Sequence, residues 1–229
     1  MAKTFAQMQA NVGGMIIDTS SGFATLIGNW LNDKYRDIAR RMPWSALIDS
    51  DYVISVTTGA GASYSLPTDF DEEINCMDIT HGVALARYSE AMWWRERGED
   101  YSAGTLQTGQ PVRYMILREL SKIQLDPAPN ENLTLALPYK KTITDLAGAG
   151  TVLIPDIEYI MEFGALSEAQ AYKKQFAKAA YYLQKYESEL AKRISQERSA
   201  PNQRYQWIPE TGYSGKIGRL TGDNSYDSL

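Results

Sequence analysis

The 229-residue chain is 44% hydrophobic and 22% charged, with a net charge of −5. That length supports one domain with a sizeable core, or two small ones sharing an interface, and no apolar run approaches the roughly 20 residues of a membrane span. The acidic balance argues against a surface that wraps nucleic acid, which needs unopposed Lys and Arg to displace counterions; it is compatible with a channel whose acidic lumen keeps DNA from sticking.

Thr4 is expected to cap a short helix running to about Val12 and stopped by Gly13-Gly14. The opening MAKTFAQMQANVGGMII has no basic region ahead of a continuous hydrophobic stretch, so secretory targeting is not expected. After Ser20 or Ser21, the residues Phe23, Leu26, Ile27, Trp30, Leu31, Tyr35, Ile38, Ala39 and Met42 recur at three- and four-residue spacing. This predicts a helix of about 20 residues with one apolar stripe, and with Asp33, Lys34, Arg36, Asp37 and Arg40 mainly on its other face. Pro43 ends the helix, and Trp44, directly after the stop, is expected to anchor the core at a domain junction.

The pattern then changes to period two. Tyr52, Ile54 and Val56 alternate with polar neighbours, Gly59-Ala60-Gly61 makes a turn, and Ala62 to Pro67 returns as the second arm of a hairpin. Glu73 to Thr80 reads as a strand or short helix, Val83 to Arg87 as an extended piece, and Ser89 to Gly98 as a capped helix ended by its glycine. A polar loop from Tyr101 to Gln110 precedes three strands, Val112–Leu117, Lys122–Leu125 and Leu133–Tyr139; Asp126 to Asn130 forms a turn with two prolines. Gly148-Ala149-Gly150 is a flexible link, after which Pro155-Asp156 restarts helix. Its apolar residues begin with Ile157, Ile160 and Met161, and Gly164 is expected to bend or divide it. Phe176, Ala179, Ala180, Leu183, Tyr186, Leu190 and Ile194 continue the stripe to about Arg198.

The last stretch, Ser199 to Leu229, is rich in Gly, Ser, Asn and Pro yet carries Tyr205, Trp207, Ile208, Tyr213, Ile217, Leu220 and Tyr226. Such composition cannot by itself bury enough apolar surface to offset its ordering entropy. It reads as an assembly arm sheltered by another chain. The fold class is therefore α+β: N-terminal (1–48) and C-terminal (148–198) helices form a bundle, a small β-rich, mainly antiparallel domain (49–147) is inserted, and an extended arm (199–229) follows.

Chemistry is sparse. One histidine, His81, and one cysteine, Cys76, exclude an internal disulfide and metal sites built from several Cys or His. Any Ser-His-Asp or Cys-His triad would need His81, which lies in a turn context. Cys76 reads as a small buried apolar residue in a strand. Asp69, Asp71, Glu72 and Glu73 supply carboxylates in the number a glycosidase uses, but the simpler reading is a solvated acidic loop after Pro67. Trp93, Trp94, Arg95 and Arg97 offer a stacking surface for single-stranded nucleic acid or sugar, or more simply a helix covering the β-domain edge. Lys173, Lys174, Lys178 and Lys185, interspersed with Glu168, Glu187 and Glu189, form a solvated helix face. No catalytic, cofactor or metal residues are expected, and no cofactor is implied.

Three stretches resemble the head-to-tail adaptor (connector) proteins of tailed bacteriophages. They are the helix exit from Leu31 to Trp44, with Ile38-Ala39-Arg40-Arg41-Met42-Pro43-Trp44; the strand and turn Tyr64-Ser65-Leu66-Pro67-Thr68-Asp69-Phe70; and Gly109-Gln110-Pro111-Val112-Arg113-Tyr114 followed by Leu125-Asp126-Pro127-Ala128-Pro129. The resemblance implies a non-enzymatic virion protein made in the host cytoplasm. It implies a twelve-copy ring beneath the portal protein that extends the DNA channel, lets DNA pass without specific binding, and gives tail or nozzle proteins a platform. In that picture Tyr205, Trp207, Ile208, Tyr213, Ile217 and Leu220 are the buried anchors of the arm. A carbohydrate-binding or tail-fibre-associated module is the alternative, and an enzyme using the carboxylates near Asp69 a third.

Overall fold

A computed structural model describes residues 2–17, 20–58, 61–103 and 107–199. Among them are five helices, α1 (Phe5–Ile16), α2 (Ser21–Arg41), α3 (Glu90–Ala103), α4 (Glu158–Tyr172) and α5 (Phe176–Ser199). Four of them build the bundle, with α4 packed against α1, α2 and α5. Thr4 caps α1 with a reciprocal box: Gln7 N–H donates to Thr4 Oγ1 at 3.3 Å, and Thr4 N–H donates to Gln7 Oε1 at 2.8 Å. The helix does not stop at Gly13-Gly14. Gly13 is buried within it, and the turn comes at Ile17, whose φ of 57° ends the helix in a left-handed cap.

The α2 stripe is buried as its spacing predicts, from Phe23 through Ile27, Leu31, Tyr35 and Ile38. Met42 is extended ahead of Pro43, whose ring disfavours helical backbone in the preceding residue. Gly164 does not divide α4. It lies inside the helix, where an added Cβ would come 2.7 Å from Lys34 Cγ and 3.1 Å from Tyr186 Cδ2, so glycine permits the close approach of α2 and α5. The division falls instead at Lys173–Gln175, with Lys174 at φ 58°. Of the last stripe Ala179, Tyr186 and Leu190 are buried, while Phe176 and Leu183 are 69% and 45% exposed. Met8, Ile27, Leu31, Ile38, Met161 and Leu166 are among the residues forming one continuous apolar cluster with Tyr186 and Leu190.

Thirteen short strands occur among the described residues. They are β1 (Ile48–Asp49), β2 (Val53–Val56), β3 (Ser63–Ser65), β4 (Phe70–Glu73), β5 (Met77–Asp78), β6 (Val83–Ala84), β7 (Ala86–Arg87), β8 (Thr108–Gly109), β9 (Arg113–Leu117), β10 (Lys122–Asp126), β11 (Ala128–Pro129), β12 (Leu133–Ala136) and β13 (Tyr139–Lys141). They form sheets ordered β1-β13-β4, β3-β10-β9-β7 and β2-β12-β5-β6, with β11 beside β8; β7–β9 and β8–β11 are parallel and the other pairs antiparallel.

The expected hairpin across Gly59–Gly61 is not formed. β2 pairs with β12, Ile54 opposite Leu135, and β3 pairs with β10. The period-two pattern specified which face of β2 is buried, but not which distant apolar strand covers it. The stretch Glu73–Thr80 splits between two sheets, and Cys76 is buried in the link rather than in a strand. Leu133–Tyr139 splits likewise ahead of Tyr139, because Pro138 cannot donate to a ladder. Helix α3 continues past Gly98 to Ala103 and takes up part of the expected loop. Ile54, Ile123, Leu125, Leu133, Leu135 and Leu137 lie at the heart of a second apolar cluster, separate from that of the bundle.

Candidate assembly surfaces

The end of α5 is clamped to the point where the bundle gives way to the strands. Trp44 is fully buried, its Nε1–H donates to Ile38 O at 2.8 Å, and the Arg193 guanidinium sits 5.5 Å over its ring. Arg193 Nη1 donates to Glu197 Oε2 at 3.0 Å, while Glu197 Oε1 accepts from Ser45 N–H at 3.0 Å and from the Ser45 hydroxyl. Burial alone would raise the Glu197 carboxyl; the hydrogen bonds from Ser45 and the charge of Arg193 overcome it and hold the group below its ordinary range. Of these contacts only the four-residue spacing of Arg193 and Glu197 was visible in the sequence.

One flank of α4 and α5 carries a ladder of rings. Tyr159 meets Phe163 edge-on at 6.2 Å, Phe163 stacks on Tyr182 at 6.5 Å, and Tyr182 meets Tyr181 edge-on at 5.4 Å. Lys185 Nζ lies 4.5 Å from the Phe163 ring centre. On another side of α5, the Tyr186 hydroxyl donates to Asp37 at 2.6 Å, and Arg41 bridges Asp37 and Glu187 at 3.0 and 3.1 Å. Burial and that bond to Asp37 push the Tyr186 phenol far up.

Three of the four carboxylates near Asp69 are each engaged by another residue. Asp69 accepts from the Tyr139 hydroxyl at 2.8 Å, Asp71 pairs with Lys140 at 3.0 Å, and Glu73 is buried 2.7 Å from Arg87 Nε. The adjacent notch, lined by Leu66, Phe70, Asp71 and Arg118, holds only 150 Å³, well below the roughly 300 Å³ at which ligand pockets begin. His81 sits in the β5–β6 turn, its Nδ1 2.6 Å from Asp78 and its Nε2 3.3 Å from Glu131; the bond to Asp78 raises its pKa. Burial, with Glu73 and Asp78 nearby, pushes the Cys76 thiol up to about 12. Trp93 is buried on Met115 and Leu117, and Trp94 meets it edge-on at 5.0 Å. The helix thus covers the sheet and cannot offer both indoles as a stacking platform.

Among the described residues no group of three or more His, Cys, Asp or Glu is placed to hold a metal, and no helix is long and apolar enough to cross a membrane. Compared with known families, residues 3–205 match the family described as SU10 adaptor protein. The chain belongs to that family. It is a phage head-to-tail adaptor, a structural component of the virion. No curated protein matches it.

The three stretches that resembled adaptors are architectural in this chain. Ile38 to Trp44 forms the exit of α2 into the junction clamp. Tyr64 to Phe70 joins β3 to β4, with Leu66 buried. Gly109 stands against Pro127, where an added Cβ would lie 3.7 Å from its ring carbons. The proposed anchors of the arm lie outside the described residues. Of the six, Tyr205 falls within the family match, while Trp207, Ile208, Tyr213, Ile217 and Leu220 follow its end.

Proposed function

We propose that the adaptor forms a ring of twelve copies beneath the portal, lengthens the DNA channel, and presents a platform on which tail or nozzle proteins dock. DNA passes through without specific binding, in keeping with a net charge of −5. In this reading the bundle (1–48 and 148–198) and the inserted β domain (49–147) form the ring body. Residues 199–229 form the arm that joins it to the particle, with Tyr205, Trp207, Ile208, Tyr213, Ile217 and Leu220 as buried anchors. The observation that carries the reading is the family match across the whole described body. The clamp at Glu197 supports it, because a fixed α5 terminus gives the arm a rigid base.

Deleting 199–229 tests the division of labour. The truncated protein is expected to keep the circular dichroism and melting temperature of the full chain while failing to join portal-bearing heads. Infectious particles assembled from the truncated protein would contradict the role given to the arm.

A further inference from the structure

Lys178, Tyr181 and Lys185 share one face of α5, at the three- and four-residue spacing that aligns side chains along a helix. Tyr181 is 58% exposed, and Lys185 leans over the rings of Phe163 and Tyr181 at 4.5 and 5.9 Å. Nearby carboxylates are engaged elsewhere: Glu168 with Lys34, Glu187 with Arg41 and Glu189 with Lys192. Among the described residues neither Lys178 nor Lys185 has a carboxylate within ion-pair distance. Two such cations on one helix face fit a short acidic peptide that brings two carboxylates to the same side.

The chain carries such a peptide beyond the described residues. Asp223-Asn224-Ser225-Tyr226-Asp227 places two carboxylates around a tyrosine, with no Lys or Arg from 220 onward. Extended, Asp223 to Asp227 covers about 13 Å, and Lys178 to Lys185 covers about 10 Å along α5. In the extended form Asp223, Ser225 and Asp227 face one side, so each acid can meet one cation while Ser225 crosses the Tyr181 ring between them. We propose that Asp223–Asp227 of one copy docks on the Lys178–Tyr181–Lys185 face of α5 in the neighbouring copy.

This rests on the ring reading, which supplies the neighbour. The chain from Ser199 to Asp223 can stretch to about 80 Å, enough to cross an adjacent bundle two helix diameters, about 20–24 Å, wide. A contact made by each copy on the next is heterologous, and it repeats around a closed ring.

Exchanging the charges tests both the site and the direction. Full chains K178E/K185E and D223K/D227K are each expected to self-associate about tenfold more weakly than the unaltered protein, by sedimentation of the free chain and by retention on the portal. An equal mixture of the two is expected to recover association, because each altered arm then meets an altered face on a different molecule. Recovery only when all four substitutions share one chain would mean that the segment folds on its own subunit, and would overturn the proposal. Self-association indifferent to every substitution would overturn it too, while failure of the 199–229 deletion to join heads would leave the head–tail function standing. Absence of any self-association, free or on the portal, contradicts both.

Discussion

In the bundle, four helices of 12 to 24 residues enclose one apolar cluster that runs from Phe5 to Leu190, whereas among the described residues no strand exceeds five residues. A long helix carries in its own sequence both its existence and the face it buries. Several of the short strands are held by partners far along the chain, as β2 is by β12 and β1 by β13. The contrast teaches where strength and adaptability lie in this adaptor: a strongly packed helical body, and a β region in which local pairs such as β5–β6 and β9–β10 are joined by long-range ones into several small sheets.

Truncating Trp44 should have the largest effect on that contrast. Trp44→Ala removes a fully buried indole, its bond to Ile38 and its contact with Arg193, and is expected to cost about 3–5 kcal/mol in urea unfolding. Leu135→Ala, at the centre of the other cluster, is expected to cost about 2–4 kcal/mol and to speed hydrogen exchange first in β2 and β12. If Leu135→Ala accelerated exchange in α4 as much as in β12, the separation of the two cores would be wrong.

Glu197→Gln probes the seam between them. The carboxylate is 8% exposed at its side chain and serves Ser45 and Arg193 together, so its loss is expected to cost about 1–3 kcal/mol at neutral pH. Because folding lowers its pKa, its contribution is present above the ordinary value of 4.5 and is lost as pH falls through the lower folded value. The pH–stability curves of the unaltered and E197Q proteins should therefore converge on acidification, and parallel curves would exclude a titrating clamp.

His81→Asn is expected to have the smallest effect. Folding raises the His81 pKa through Asp78, so the histidine stabilises its turn fully below the ordinary value of 6.5, and this contribution fades as pH rises through the raised folded value. Protection factors at residues 78–82, taken relative to the intrinsic exchange rate at each pH, should rise on acidification from neutral in the unaltered chain and stay level in H81N.

The same contrast explains what could be read from sequence. The α2 stripe and the buried Trp44 were legible because helical period and a proline stop are local signals. The β2–β3 hairpin was misread because a glycine turn between two short period-two runs implies local pairing, and only burial of Ile54 against Leu135 decides otherwise. Gly164 was misjudged for a related reason: its role is set by Lys34 and Tyr186, which its own neighbours in sequence do not reveal. The clamp was not read from the sequence: the four-residue spacing of Arg193 and Glu197 is a local signal that could have hinted at it, but Ser45 stands 152 residues from Glu197. The rings of Tyr159, Phe163, Tyr181 and Tyr182 form a surface only after α4 and α5 are packed together.

The central claim is that the adaptor functions through residues 199–229 lodged on another chain. An electron cryo-microscopy map of the adaptor assembled on its portal tests this most directly. The account predicts a closed adaptor ring with the side chains of Trp207, Ile208 and Tyr213 enclosed by a different polypeptide; finding them packed against their own subunit, or exposed to solvent in the finished particle, would contradict it.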